Sequence, residues 1–223
     1  AYLLAICAGA AFGFANGFLV TAGRIPSFIA TLGTLSIGRT AIYLLTGGWP
    51  VSGLLAPFVF SGDMRNNGPI IVMVVLTIAG IIVLTKTGFG RRVYAIGGNE
   101  TAARLSGVNV NRTKLAVYII TGALCALAGV LNAAVLGVGD PEGGKGYELD
   151  VIAASVIGGT SLAGGRGSIF GAFLGAAIMG VIRNGLVLMD VRSDRHPGVI
   201  GLVIIVAVLF DTWRRRSKGA FQE

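Results

Sequence analysis

Apolar runs of membrane length alternate with short polar stretches along the whole chain. A helix rises 1.5 Å per residue and the hydrocarbon core of a bilayer is about 30 Å thick, so roughly 20 apolar residues make one crossing. Six segments meet that length: Tyr2 to Ala22, Ser27 to Gly47, Pro69 to Thr87, Leu115 to Val138, Ser168 to Met189 and Gly198 to Trp213. A seventh, Leu149 to Ala163, is shorter and carries Gly158 and Gly159 near its end. The pattern predicts an all-α, polytopic transmembrane helix bundle with about seven spans, one of them broken and rich in glycine.

The direction of the spans follows from charge. Cytoplasmic loops collect Lys and Arg, and removing one crossing reverses everything after it. If the short seventh segment crosses, Arg24, Lys86, Arg91, Arg92, Arg104, Arg112, Lys114, Arg166, Arg214, Arg215, Arg216 and Lys218 fall on one side, 12 of the 18 basic residues. Asp63, Asp140, Glu142, Glu148, Asp150, Asp190 and Asp194 then collect on the other. The amino end is therefore expected outside and the carboxyl end inside, with a cytoplasmic loop over 88–114 and a cytoplasmic tail over 214–223. The chain opens AYLLAICAGAAFGFANG with neither Met nor a basic leader, and is read as a fragment that begins within a span.

Composition agrees with a bilayer protein. Hydrophobic residues are 54% of the 223, charged residues 13%, and mean hydropathy is +0.80, well outside the range of soluble domains. The net charge of +8 needs no nucleic acid as partner, because loop asymmetry accounts for it. Cys7 and Cys125 lie inside apolar runs and read as small buried hydrophobes, with no disulfide framework and no metal site.

Glycine, 36 residues in all, often recurs every four positions: Gly13 with Gly17, then Gly167, Gly171 and Gly175. That spacing lines one helix stripe with small residues and lets backbones approach where lipid supplies no hydrophobic drive. The run VIGGTSLAGGRGSIFGAFLGA, residues 156–176, admits two readings: a broken helix lining a translocation route, or a tight inner turn between packed helices.

The longest polar interval is GGNETAARLSGVNVNRTK, residues 97–114. Asn99 is a candidate N-cap, Glu100 suits the positive end of a helix, and Gly107 can take the left-handed closing conformation, which gives a helix of about two turns. So short a helix is marginal alone in water and needs packing partners.

The segments YAIGGNETAARLSGVNVNRTKLAVYIITGALCALAGVL, LDVIAASVIGGTSLAGGRGSIFGAFLGA and NGLVLMDV, with the earlier GRIPSFIATLGTLSIGRTAIYLLTGG, closely resemble the membrane permease subunit of bacterial ABC sugar importers of the ribose, xylose and galactose type. The resemblance covers nearly the whole chain and makes it the carboxyl-terminal two-thirds of one transmembrane permease domain, 1–223, from a family with ten spans. It implies a coupling helix that docks on a cytoplasmic ABC ATPase, carried here by Gly98, Asn99, Glu100, Ala103, Arg104, Leu105, Ser106 and Gly107. It also implies a second permease copy as a homodimer, a periplasmic sugar-binding protein, and residence in the bacterial inner membrane. The outer loop VRSDRHPG, residues 191–198, is more charged than the family pattern.

No GxxxxGK[ST] phosphate loop occurs, and GGKG at 143–146 lacks its spacing. The chain is expected to be no enzyme and to bind no cofactor directly, with ATP and Mg held by the partner ATPase. An ion-coupled secondary transporter would place acids within spans, whereas Asp150 is at a mouth, Asp211 at an inner end and the sole histidine, His196, in a loop. No buried acid or nucleophile lies near that histidine in sequence, and no ligand cluster for a metal appears. Candidates for the substrate pathway are polar or glycine positions within spans: Asn16, Arg39, Asn132, Gly158, Gly159, Thr160, Ser161 and Asn184. Arg183 is expected to snorkel to the headgroups. The cargo expected is a monosaccharide; branched-chain amino acids are the alternative, because permeases for them share the glycine-rich broken helix.

Overall fold

A computed structural model describes residues 2–52, 64–192, 195, 196, 198–203, 205, 206 and 209. The elements are α1 (Tyr2–Thr21), α2 (Ser27–Thr46), β1 (Val51–Ser52), α3 (Met64–Lys86), α4 (Gly88–Gly98), α5 (Glu100–Leu105), α6 (Val110–Leu136), β2 (Val138–Gly139), α7 (Tyr147–Ile157) and α8 (Ile169–Leu188). The protein is an all-α, polytopic helix bundle. Its only extended pairing among the described residues joins Val51 to Gly139 and Ser52 to Val138, antiparallel. The chain divides into two compact units, Ala1–Val75 with Arg104–Gly143 and Leu76–Ala103 with Gly144–Glu223.

In the first unit α1 packs on α6 through glycine. A Cβ placed on Gly9 would meet the Gly122 carbonyl, one on Gly13 the Tyr118 carbonyl, and one on Gly17 would lie 2.7 Å from Leu115 Cδ1. The predicted stripe of Gly13 and Gly17 is thus the seam, with Gly13 against the backbone of α6 and Gly17 against the Leu115 side chain, and both residues are buried. In lipid such close approach is what brings helices together, through dispersion and not hydrophobic exclusion. α2 is tied to α1 by Thr34 Oγ1, which donates to Asn16 Oδ1 at 2.8 Å.

In the second unit α7 and α8 form a helical hairpin with the same device. Cβ atoms on Gly171 and Gly175 would run into the carbonyls of Gly158 and Ala154. Gly167, by contrast, precedes α8 and belongs to the turn, so the expected stripe begins only at Gly171; Ser168 caps the helix by accepting from the Gly171 amide at 3.0 Å. The core of this unit is Ala153, Ala154 and Met179 with Ile200, and Ile157, Ile182 and Val203 pack around it. Residues 198–203 are helical and reach that core through Ile200 and Val203.

Among the described residues, five helices are long and apolar enough to cross a membrane: Tyr2–Thr21, Ser27–Thr46, Asn67–Lys86, Val110–Leu136 and Ile169–Leu188. They correspond to five of the six expected full-length spans. The expected span from Gly198 to Trp213 continues outside the described residues, as does the tail 214–223. The seventh expected segment, Leu149 to Ala163, is short and interrupted at Gly158 and Gly159, as its sequence predicts. That segment is an 11-residue helix, Tyr147–Ile157, about 16 Å long and so roughly half the hydrocarbon thickness. It ends early because Gly158 and Gly159 close it: the Gly159 amide donates to Val156 and the Thr160 amide to Ser155, both at 2.9 Å, with Gly159 at φ +86°. This double closure is the Schellman arrangement, which terminates a helix whatever follows.

Most large apolar side chains point outward from the helices; Leu3, Leu45, Val181 and Leu188 are each more than 70% exposed. That is the expected inversion for a protein whose solvent is hydrocarbon. It also corrects the expectation for Cys7 and Cys125, which are both exposed: an apolar run in a bilayer helix has no need to face a protein core.

Candidate functional site

The polar interval folds as two short helices in succession. Thr87 caps α4 by accepting from the Gly90 amide at 3.3 Å. Asn99 closes α4, its amide donating to Ala95 at 3.1 Å, and opens α5, its Oδ1 accepting from the Ala102 amide at 2.9 Å. Glu100 lies in the first turn of α5 and Arg104 in the last, the arrangement that complements the helix dipole. Gly107, at φ +81°, turns the chain away; its amide donates to the Arg104 carbonyl at 3.1 Å. A side chain there would be strained by backbone conformation alone. Asn109 then caps α6 by accepting from the Arg112 amide at 3.1 Å.

α5 is thus held at both ends by its own sequence and shows two faces. Ala103 is buried, with 4% exposure, while Leu105 is 86% exposed; Asn99, Arg104, Ser106 and Gly107 are exposed as well. α4 has no counterpart in the hydrophobic pattern. Its glycines suppress helix propensity, and the signal that could have revealed it is the Thr87 cap followed by an apolar residue every third or fourth position, at Phe89, Val93 and Ile96.

The glycine-rich run 158–168 forms a turn between packed helices. The Ser161 amide donates to the Arg166 carbonyl at 2.9 Å and the Gly164 amide to the Ser161 carbonyl at 3.0 Å. This turn sits against α4: Tyr94 Oη donates to the Gly167 carbonyl at 2.8 Å, and a Cβ on Gly97 would lie 2.6 Å from the Gly165 nitrogen. Between them is a cavity of about 340 Å³, lined by Leu84, Val93, Tyr94, Thr160, Ser161 and Ala172 among others.

Of the pathway candidates, Gly158, Gly159, Thr160 and Ser161 therefore lie together in this turn, with Ser161 buried. Asn16 is engaged with Thr34. Arg39 is half-buried on α2, Asn132 is exposed on α6, and Asn184 is exposed on α8. Asn16, Arg39 and Asn132 belong to the first unit and Asn184 to the second.

The structure gathers three residues outside that set. Arg183 forms an ion pair with Asp150 and places its guanidinium 5.0 Å from the centre of the Tyr147 ring. Tyr147 and Asp150, three apart on α7, share one helix face. Asp150 Oδ1 and Arg183 Nε are buried without a hydrogen-bond partner among the described residues. Arg183 is thus tied to α7, which corrects the expectation that it snorkels, and its partner Asp150 lies in the first turn of that helix. The readable signal was opposite charge at matching depth on adjacent segments. His196 is half-buried and its Nε2 donates to the Val191 carbonyl at 2.9 Å.

Asp150→Asn is expected to lower stability. Removing one member of a fully buried pair costs roughly 3–5 kcal/mol, and because the Arg183 side chain retains 38% exposure the expected loss is about 2 kcal/mol. Thermal unfolding in detergent reads it, and the doubly neutral variant Asp150→Asn with Arg183→Gln is expected to recover most of the loss. Equal melting of the single variant and the parent would mean that the pair holds nothing.

Comparison with known proteins follows the same lines. The chain is 44% identical over 209 residues to a ribose import permease protein of Bacillus subtilis, covering 91% of this chain and 64% of that protein. It is 42% identical over 214 residues to a ribose import permease protein of Escherichia coli, covering 93% and 67%. A xylose transport system permease protein of Escherichia coli is 50% identical over 148 residues, 66% of this chain and 38% of that protein. The chain thus spans about two thirds of the length of the ribose permeases it matches. No solved structure matches it. With a match that runs over residues 1–208, the chain belongs to the family described as branched-chain amino acid transport system / permease component.

Proposed function

We propose that the chain supplies the membrane path of an ATP-driven ABC importer for a monosaccharide, and that a separate ATPase engages it through α5. The observation that carries this reading is the exposed Leu105 on a doubly capped helix whose other face buries Ala103. An apolar side chain held rigidly in a polar interval suits a groove on a partner. In this reading α4, α5 and the basic tail face the cytoplasm of a bacterial inner membrane, and two copies form the path. A periplasmic binding protein brings the sugar, and ATP with Mg is bound and hydrolysed by the partner. ATP acts only through differential affinity for two arrangements of the bundle; moving a two-state equilibrium from 1:99 to 99:1 takes about 5.5 kcal/mol.

A pentose is the cargo best supported, because the similar proteins carry ribose and xylose in their names. The family's description favours a branched-chain amino acid. Vesicles containing the full-length protein with its cognate ATPase and binding protein separate the two: ATP-dependent uptake of labelled ribose or xylose supports the sugar reading, and uptake of labelled leucine instead overturns it. Orientation is tested apart from cargo by a cysteine at Thr101, exposed on α5, in a background without Cys7 and Cys125. Reaction with an impermeant reagent added outside sealed cells would reverse the assignment.

A further inference from the structure

We infer that the turn 158–168 is fixed to α4 as one rigid body and carries movement of the α4–α5 arm into the α7–α8 hairpin, with Tyr94 and Gly97 as the positioning residues. The inference rests on the proposed role of α5. Three observations within one unit carry it. First, the α4 contact is backbone on backbone and reciprocal: Cβ atoms would lie 2.6 Å from the Gly165 nitrogen if built on Gly97, 2.6 Å from the Gly97 carbonyl oxygen if built on Gly164, and 2.8 Å from Gly98 Cα if built on Gly165. Gly164 and Gly165 also hold φ of +89° and +72°, so this close approach is available to glycine alone. Second, Tyr94 donates to the Gly167 carbonyl at 2.8 Å across 73 residues of sequence, fixing the turn against sliding. Third, the turn is joined without slack to the hairpin, because Gly158 meets Gly171 and Ala154 meets Gly175 with no side chain between.

Backbone contacts of this kind have no rotamers to absorb a displacement, and close-packed matter transmits strain in place of dissipating it. A shift of α5 imposed by nucleotide at a partner would therefore move the start of α8 with it. The glycines of the turn, in this account, serve transmission and do not contact sugar.

The test uses the full-length permease with its ATPase and binding protein in lipid vesicles. Spin labels on cysteines at Arg91 and Leu162, both exposed, report the distance from α4 to the turn, which is expected to be the same without nucleotide and with ATP bound. Gly97→Val is expected to lower sugar moved per ATP by roughly tenfold, the scale of an overpacked contact. Tyr94→Phe, which keeps the ring and removes only the donor, is expected to lower it less. The ratio is the discriminating readout, since a purely structural defect reduces the amount of assembled complex and leaves sugar per ATP intact. A 91-to-162 distance that changes with nucleotide overturns the inference, and so does a parental ratio in Gly97→Val; if that variant fails to assemble, the distance decides. Failure of the underlying reading shows separately, as parental uptake and parental co-purification with the ATPase in Leu105→Asp.

Discussion

Gly175→Leu is expected to prevent α7 and α8 from packing and to remove most of the folded protein from the membrane. The Cβ alone would enter the Ala154 carbonyl and lie 2.9 Å from the Gly158 nitrogen, and backbone cannot turn aside as a side chain can. The expected loss is about 3 kcal/mol or more, at or beyond the upper end for overpacked cores, and it falls on the helix that also holds Met179 in the core of its unit. Fluorescence-detected size exclusion and thermal unfolding in detergent measure it. Gly180→Leu is the matched control: it lies on the same helix with nothing within 4 Å of its Cβ position, and is expected to accumulate and melt as the parent does. Equal behaviour of the two variants would show that the α7–α8 contact is not where the fold is held.

The difference between these two glycines marks what one-dimensional pattern can and cannot reveal. Helix existence was legible throughout the long spans, because burial in hydrocarbon demands a continuous apolar run and five of the expected spans recur within a few residues at each end. Helix ends were legible where a residue has a single local use, as with Asn99, whose side chain caps α5, and Gly107, whose φ is positive. Which neighbour each glycine touches was not: the four-residue stripe picks out Gly171 and Gly175 and leaves out Gly180, but their partners Gly158 and Ala154 follow only from the crossing of α7 over α8. α7 itself was overextended to Ala163 because hydropathy continues through Leu162 while the hydrogen bonds stop at the Gly158–Thr160 closure. The Asp150–Arg183 pair was hidden for a related reason: each residue stood near the edge of a predicted span, and edges are where charge needs no special explanation. Contact of Tyr94 and Gly97 with residues some 70 positions later is tertiary information of the same kind.

Leu105→Asp is expected to abolish ATP-driven uptake while leaving insertion and folding intact. With 86% exposure the leucine contributes little to the stability of its own chain, so an exposed substitution there falls within about 0.5 kcal/mol. At a docking surface the same residue would be a central apolar anchor, where loss costs on the order of 2–4 kcal/mol, or roughly 30- to 1,000-fold in affinity for the ATPase, and a buried unpaired carboxylate adds to that penalty. Arg104→Glu is expected to act in the same direction by reversing the charge at the carboxyl end of α5, and Gly107→Val by forcing a β-branched residue into φ +81°, a strain of about 1–3 kcal/mol that tilts the helix away from its groove. Co-purification with the ATPase reads the docking, and sugar uptake against ATP hydrolysis reads the coupling. The three variants differ in chemistry and share only a position on one exposed helix, so a common loss of coupling with normal melting identifies α5 as the lever. Parental uptake in all three would leave the helix a solvated loop whose charges do no more than set the orientation of the spans.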